Sequence, residues 1–135
     1  MSLVATRQRW SAAPERQAVR RVAGRTHMNE TVASSSFWCI RPNGHRMLVT
    51  AEIGRPYDTG AGDWACPVSL RGLYDRLADI HGVDSLQALC LAASLVRKLL
   101  TSFVDDGGRV LHPEDESEVD FNATFSGIGV GCGSA

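Results

Sequence analysis

Residues 82–103 read Gly82-Val83-Asp84-Ser85-Leu86-Gln87-Ala88-Leu89-Cys90-Leu91-Ala92-Ala93-Ser94-Leu95-Val96-Arg97-Lys98-Leu99-Leu100-Thr101-Ser102-Phe103, and their spacing predicts one long helix. Asp84 stands where an N-cap belongs, and Gln87 follows three residues later. In that arrangement the two side chains satisfy N–H groups that the first helical turn leaves without partners. Two apolar stripes run side by side at helical spacing. One is Leu86, Leu89, Ala93, Val96, Leu100 and Phe103, and the other Ala88, Ala92, Leu95 and Leu99. Gln87, Ser94, Lys98 and Thr101 mark a narrow polar strip, so the helix is expected to be covered on most sides. A sheet would cover one side, and either residues 121–125 or a second copy of the chain another. Asp105-Asp106-Gly107-Gly108 ends the helix, glycine supplying the left-handed residue.

Working outward, residues 37–40 (Phe-Trp-Cys-Ile) run into the turn signal Pro42-Asn43-Gly44. Residues 45–53 then alternate, with Met47, Val49, Ala51 and Ile53 on one face and Arg46, Leu48, Thr50 and Glu52 on the other. Two strands about an Asn-Gly turn predict a hairpin, because asparagine and glycine accept the positive φ such turns need. Residues 54–63 carry Gly54, Pro56, Asp58, Gly60 and Gly62 and read as a loop. Residues 64–70 resume an extended pattern in which Pro67 implies an edge or a bulge, since proline cannot donate to a ladder. Residues 76–81 fit either period, and we read them as a strand leading into the helix. Val110-Leu111 reads as a short strand. Phe121, Ala123 and Phe125 alternate with Asn122 and Thr124 as a last strand. The order predicts an α+β fold, a small antiparallel β-sheet with one long helix packed across it in two layers.

The rest of the composition agrees with a single domain. The chain has 135 residues, 44% of them hydrophobic and 21% charged, with a net charge of −1. At this length roughly two-thirds of the unfolded surface can be buried, which supports a core without disulfides or metal. The charge balance excludes a disordered chain and argues against nucleic acid as a partner. No uninterrupted apolar run approaches the roughly 20 residues of a membrane span, so no membrane is expected and a cytoplasmic location is. The single domain is expected over residues 28–127, with a flexible glycine-rich tail at 128–135. Residues 1–27 hold six arginines against one acid, Glu15. They lack the apolar stretch of a secretory signal and are expected to be a basic, disordered leader. A mis-set start ahead of Met28, an organelle transit peptide and a basic arm are the readings open to it.

Three stretches, Ile53-Gly54-Arg55-Pro56, Gly62-Asp63-Trp64-Ala65-Cys66-Pro67 and Gly82-Val83-Asp84-Ser85-Leu86-Gln87-Ala88-Leu89, resemble a family of small bacterial domains of unknown function. The resemblance spans about residues 46–125 and leaves out the leader. It implies a small α+β domain and carries over no catalytic residue.

The chemistry-bearing residues are sparse. Cys39, Cys66, Cys90 and Cys132, with His27, His45, His81 and His112, show no C-x2-C or H-x3-H spacing, so no metal site and no cofactor is expected. Cys39 and Cys90 lie on apolar segments and read as core packing. Cys66 follows a loop and neighbours Asp63 and Trp64. It becomes a nucleophile only if the fold supplies a base, for which His81 or His45 are the candidates. The plainer reading is a strand residue under the helix, with Asp63 closing an Asx-turn and the Trp64 indole covering the sheet edge. Arg55, Asp63 and Trp64 are the candidate binding residues. The acids at 105–120 do not follow calcium-loop spacing and read as solvated charge.

Two functions are therefore carried forward. The first is a non-enzymatic protein-binding module, immunity- or regulator-like, acting on another protein or on itself as a homodimer through the apolar 86–103 helix. The second is a small thiol-dependent hydrolase built on Cys66, with His81 or His45 as base and Asp63 orienting it.

Overall fold

A computed structural model of the chain describes residues 30–74 and 76–128. The basic leader with His27, and the end from residue 129 with Cys132, lie outside the described residues.

The hairpin forms as its turn chemistry requires. β1 (Thr31–Ile40) and β2 (Arg46–Gly54) pair antiparallel from Ile40 opposite Arg46 to Thr31 opposite Gly54. Gly44 takes a φ of 90° at the turn, and the Arg41 N–H donates to the His45 carbonyl at 2.8 Å. Alternation sends Phe37, Cys39, Val49 and Ala51 into the core. Met47 and Ile53 pack against it on the same side.

Residues 64–70 are not one strand. Pro67 divides them into β4 (Trp64–Cys66) and β5 (Val68–Arg71), and the two halves join different sheets. Having no N–H, proline interrupts the ladder there, while its carbonyl accepts from the Gly54 N–H at 2.9 Å. β5 pairs with β2, so the first sheet has the order β5-β2-β1-β7, with β7 (Arg109–Leu111) beside β1. β4 lies at the centre of a second sheet, between β3 (Tyr57–Asp58) and β6 (Ile80–Gly82). The fold is α+β as the sequence predicts, but the expected single sheet is two, and the expected loop at 54–63 contains β3.

One helix covers both sheets. α1 (Ser85–Asp105) begins at Asp84, whose carboxylate accepts from the Gln87 N–H at 2.8 Å. The Gln87 side chain returns to the Val83 N–H at 2.7 Å, one residue earlier than in the usual capping box. At the other end the Gly107 N–H donates to the Val104 carbonyl and the Gly108 N–H to that of Phe103. These two bonds make a Schellman motif, with Gly107 at φ 100°. Ala88, Ala92, Val96 and Leu100 form its buried stripe. Their burial is the main stabilising term, roughly 1.5–3 kcal/mol for a side chain such as Leu100. The small alanines let the helix approach closely: a Cβ on Gly82 would lie 2.6 Å from the Ala88 nitrogen. By length and composition α1 is apolar enough to cross a bilayer, with a mean hydropathy of 1.3, although it carries Arg97 and Lys98 at its middle.

Two further expectations are corrected. Residues 121–125 are not a strand but a short helix, α2 (Phe121–Phe125), capped by Asp120, whose carboxylate accepts from the Asn122 and Ala123 N–H groups. Phe121 and Phe125 are one helical turn apart and meet edge-on, with ring centres 6.2 Å apart. Both pack against the core, and Arg97 of α1 reaches α2 at Asn122 (2.6 Å). Cys90 is exposed rather than part of the core, because it lies on the side of α1 opposite the buried stripe. Leu86 and Leu91 are exposed with it.

Candidate functional site

The second sheet concentrates the chemistry. Residues directly opposite one another on antiparallel strands point the same way, and neighbours along a strand point opposite ways. Tyr57, Ala65 and His81 are mutually opposed and share one face. Trp64, Cys66, Ile80 and Gly82 share the other, which lies under α1 and joins the core. Asp63 and Asp79, each two residues from a member of the first set, fall on the outer face with it.

That outer face holds two hydrogen-bonded pairs. The carboxylate of Asp63 lies 2.8 Å from His81 Nδ1 and also accepts from the Thr59 hydroxyl. The Thr59 bond first, then the His81 bond, hold the Asp63 carboxyl below the usual carboxylate range. Because an ionised carboxylate only accepts, Nδ1 of His81 is the donor in this pair, and Nε2 takes no part in it. The second pair is Tyr57 with Asp79, the hydroxyl donating at 2.6 Å. Burial, then the Asp79 bond, raise the Tyr57 hydroxyl above the usual tyrosine range. Sequence reasoning did not single out Tyr57, Asp79 or Thr59. Tyr57 and Thr59 fall in the stretch that reads as a loop and Asp79 in the one that reads as a strand, and only the pairing of β3, β4 and β6 brings them beside Asp63 and His81.

The predicted site residues separate into three places. Asp63 and His81 meet, as the hydrolase reading requires. Cys66 does not join them: its side chain points under the helix, fully buried, and its Sγ–H donates to the Gly54 carbonyl at 3.3 Å. Burial, with Asp79 nearby, pushes that thiol up to about 11, away from a thiolate at neutral pH. His45 sits exposed at the hairpin turn. Strand rise alone puts that turn about 30 Å from Gly54 along β2. Trp64 packs on the core rather than over an edge. The Asx-turn expected of Asp63 is made instead by Asp58, which accepts from the Gly60 N–H. Arg55 pairs with Glu30 at 3.4 Å and steadies the start of β1. The acids of the 112–120 loop are not simply solvated. Glu116 pairs with Arg46 at 3.1 Å and Glu118 with Arg109 at 3.4 Å.

In the neutral ring with Nδ1 donating, His81 Nε2 is a hydrogen-bond acceptor for an incoming molecule. Among the described residues no hydroxyl or thiol bonds to that nitrogen, so no nucleophile–base pair is assembled. Among them, too, no group of three or more His, Cys, Asp and Glu side chains is placed to hold a metal ion.

Fold and site together define a small α+β domain in which two antiparallel sheets share one covering helix and the smaller sheet displays an Asp–His pair. A family model for a domain of unknown function, DUF6968, matches residues 37–123, and the chain belongs to that family. No match was found among curated proteins or among solved structures.

Proposed function

We propose that this domain is a non-enzymatic protein-binding module, immunity- or regulator-like, that makes contact through the junction of β6 and α1. One observation carries the reading. Val83 and Leu86 are 73% and 68% exposed, more than any other large hydrophobic side chain described, and they stand three residues apart. The backbone beneath them is fixed by the Asp84 and Gln87 capping bonds, so a partner would order little on binding. His81, two residues before Val83, adds a polar rim to the apolar centre, the usual anatomy of a protein interface. The exposed Cys90 and Leu91 continue the apolar surface along α1, where a second copy of the chain would also fit. No observation favours a hydrolase centred on Cys66.

A photo-cross-linking amino acid placed at Leu86 of the full chain tests the proposal in cells that express it. A Glu114 site serves as the control. The expected result is an adduct of discrete mass from position 86, absent from position 114 and abolished by Val83→Asp. Twice the chain's own mass would identify the homodimer form. No adduct at 86, or one unaffected by Val83→Asp, would overturn the reading.

A further inference from the structure

We infer that the open edge of β1 takes up an extended, uncharged peptide segment of another protein as an added strand. The inference rests on the protein-binding reading but uses a different surface. β7 meets β1 only at Trp38, Cys39 and Ile40. Back from there, along residues 32–37, no strand lies on that side of β1 among the described residues. The backbone groups directed outward along it are a template for a further strand.

A groove of about 320 Å³ opens beside the same stretch. Ala33, Ser34 and Ser35, three successive residues of β1, all border it. Ala33 and Ser35 face it together with their β2 partners Ile53 and Ala51, so the groove lies under the inner face of the sheet, where the inward side chains of a strand added beside β1 would enter. The unpaired flank offers main-chain partners and the groove beneath it side-chain room, the two components of recognition by strand addition. Ala51 of β2 and Ala93 of α1 also line it. With Ala33 they leave space from three elements that larger residues would fill.

The lining also selects its occupant. None of the lining side chains is charged, and hydroxyls at Ser34, Ser35, Thr124 and Ser126 are its polar groups, so a charged residue entering would exchange its hydration for no opposite charge. An uncharged segment with an apolar side chain at every second position satisfies both the groove and the edge. The six residues of the open edge span about 20 Å, which sets the length of strand accommodated.

The test pans the full chain against a phage-displayed library of random linear peptides. The peptide that enriches is synthesised, and amide hydrogen exchange is followed with and without it. We expect enriched sequences to be uncharged and alternating, and bound peptide to slow exchange along residues 32–37 by about tenfold or more. Ala93→Leu, which fills the groove from α1, should weaken binding about tenfold, and Ala33→Leu should do the same from the strand side. Both variants are used only where their circular dichroism matches the parent. Absence of enrichment, protection confined to other residues, or unchanged affinity in both alanine variants would overturn strand addition. Loss of peptide binding in Val83→Asp with retention in Ala93→Leu would do so as well, by assigning the peptide to the β6–α1 junction. The cross-link from position 86 does not depend on this groove, so failure of either proposal is read separately.

Discussion

Replacing Gly82 by alanine tests how closely α1 is seated on the small sheet. Gly82 closes β6 and is buried, and its backbone is not in the left-handed region, so the substitution carries no conformational strain of its own. The added Cβ would lie 2.6 Å from the Ala88 nitrogen, 3.0 Å from its Cα and 3.1 Å from the Gln87 carbonyl carbon. Ordinary contact begins at 3.4 Å, so the first turn of α1 must retreat by about 0.8 Å. The obstacle is helix backbone, held by the Asp84 and Gln87 caps, and cannot step aside as a side-chain rotamer does. Overpacking of this kind costs about 1–3 kcal/mol, offset by somewhat under 1 kcal/mol because alanine loses less chain entropy on folding than glycine. The net expectation is a loss of about 1–2 kcal/mol, or a Tm lower by roughly 4–16 °C for a domain of this size. Gly62→Ala, at φ 97° with nothing within 4 Å of the new carbon, is the comparison, since its cost is backbone strain alone. Thermal and urea unfolding followed by circular dichroism would give both values. A Gly82→Ala protein as stable as the parent would refute the close seating of α1 on β6.

The thiols should react in the order of their burial. Cys90 is exposed, whereas Cys39 and Cys66 are buried with their thiols raised to about 11. Of the three described cysteines, iodoacetamide followed by peptide mapping should label Cys90 in the native protein and Cys39 and Cys66 only after unfolding, and rapid native labelling of Cys66 would contradict its placement. Asp63 should contribute to acid sensitivity, because its carboxyl ionises more readily folded than unfolded. A lowered folded value stabilises the fold above the usual carboxylate range, and that stabilisation disappears as the pH falls through the lowered value. Asp63→Asn should therefore flatten the fall in urea midpoint between about pH 6 and about pH 3, and an unchanged slope would show that the Thr59 and His81 bonds do not hold in solution.

Local chemistry was legible where one signal sufficed. Asn43-Gly44 and the alternation of residues 46–53 give the hairpin, and Asp84 with Gln87 at one end and Gly107 at the other bracket α1. Signals that depend on distant pairing were not legible. Residues 31–36 (Thr-Val-Ala-Ser-Ser-Ser) have no apolar alternation and become strand because β2 lies opposite them. Phe121, Ala123 and Phe125 show why five residues cannot settle a period: a two-residue repeat also places positions 121 and 125 on one helical face. The deciding signal was Asp120, a capping residue in the position where a helix would start. Pro67 reads in the sequence as an edge or a bulge within one strand, whereas it divides two, and which sheet each half joins is a matter of tertiary packing. At the site, the link of Asp63 to His81 crosses eighteen residues and exists only through the pairing of β4 with β6. Nothing in the spacing of Tyr57 and Asp79 marked them as partners.

The order β5-β2-β1-β7 also has a consequence for synthesis. The central strand β1 leaves the ribosome before both of its neighbours and is followed directly by β2. Its other flank at Ile40 waits for Arg109, sixty-nine residues later in the chain. At about 5–20 residues per second, that is roughly 3–14 s of translation. Throughout that interval a strand destined for the interior of the sheet is an edge on the nascent chain, accessible to whatever meets newly made protein at the exit tunnel.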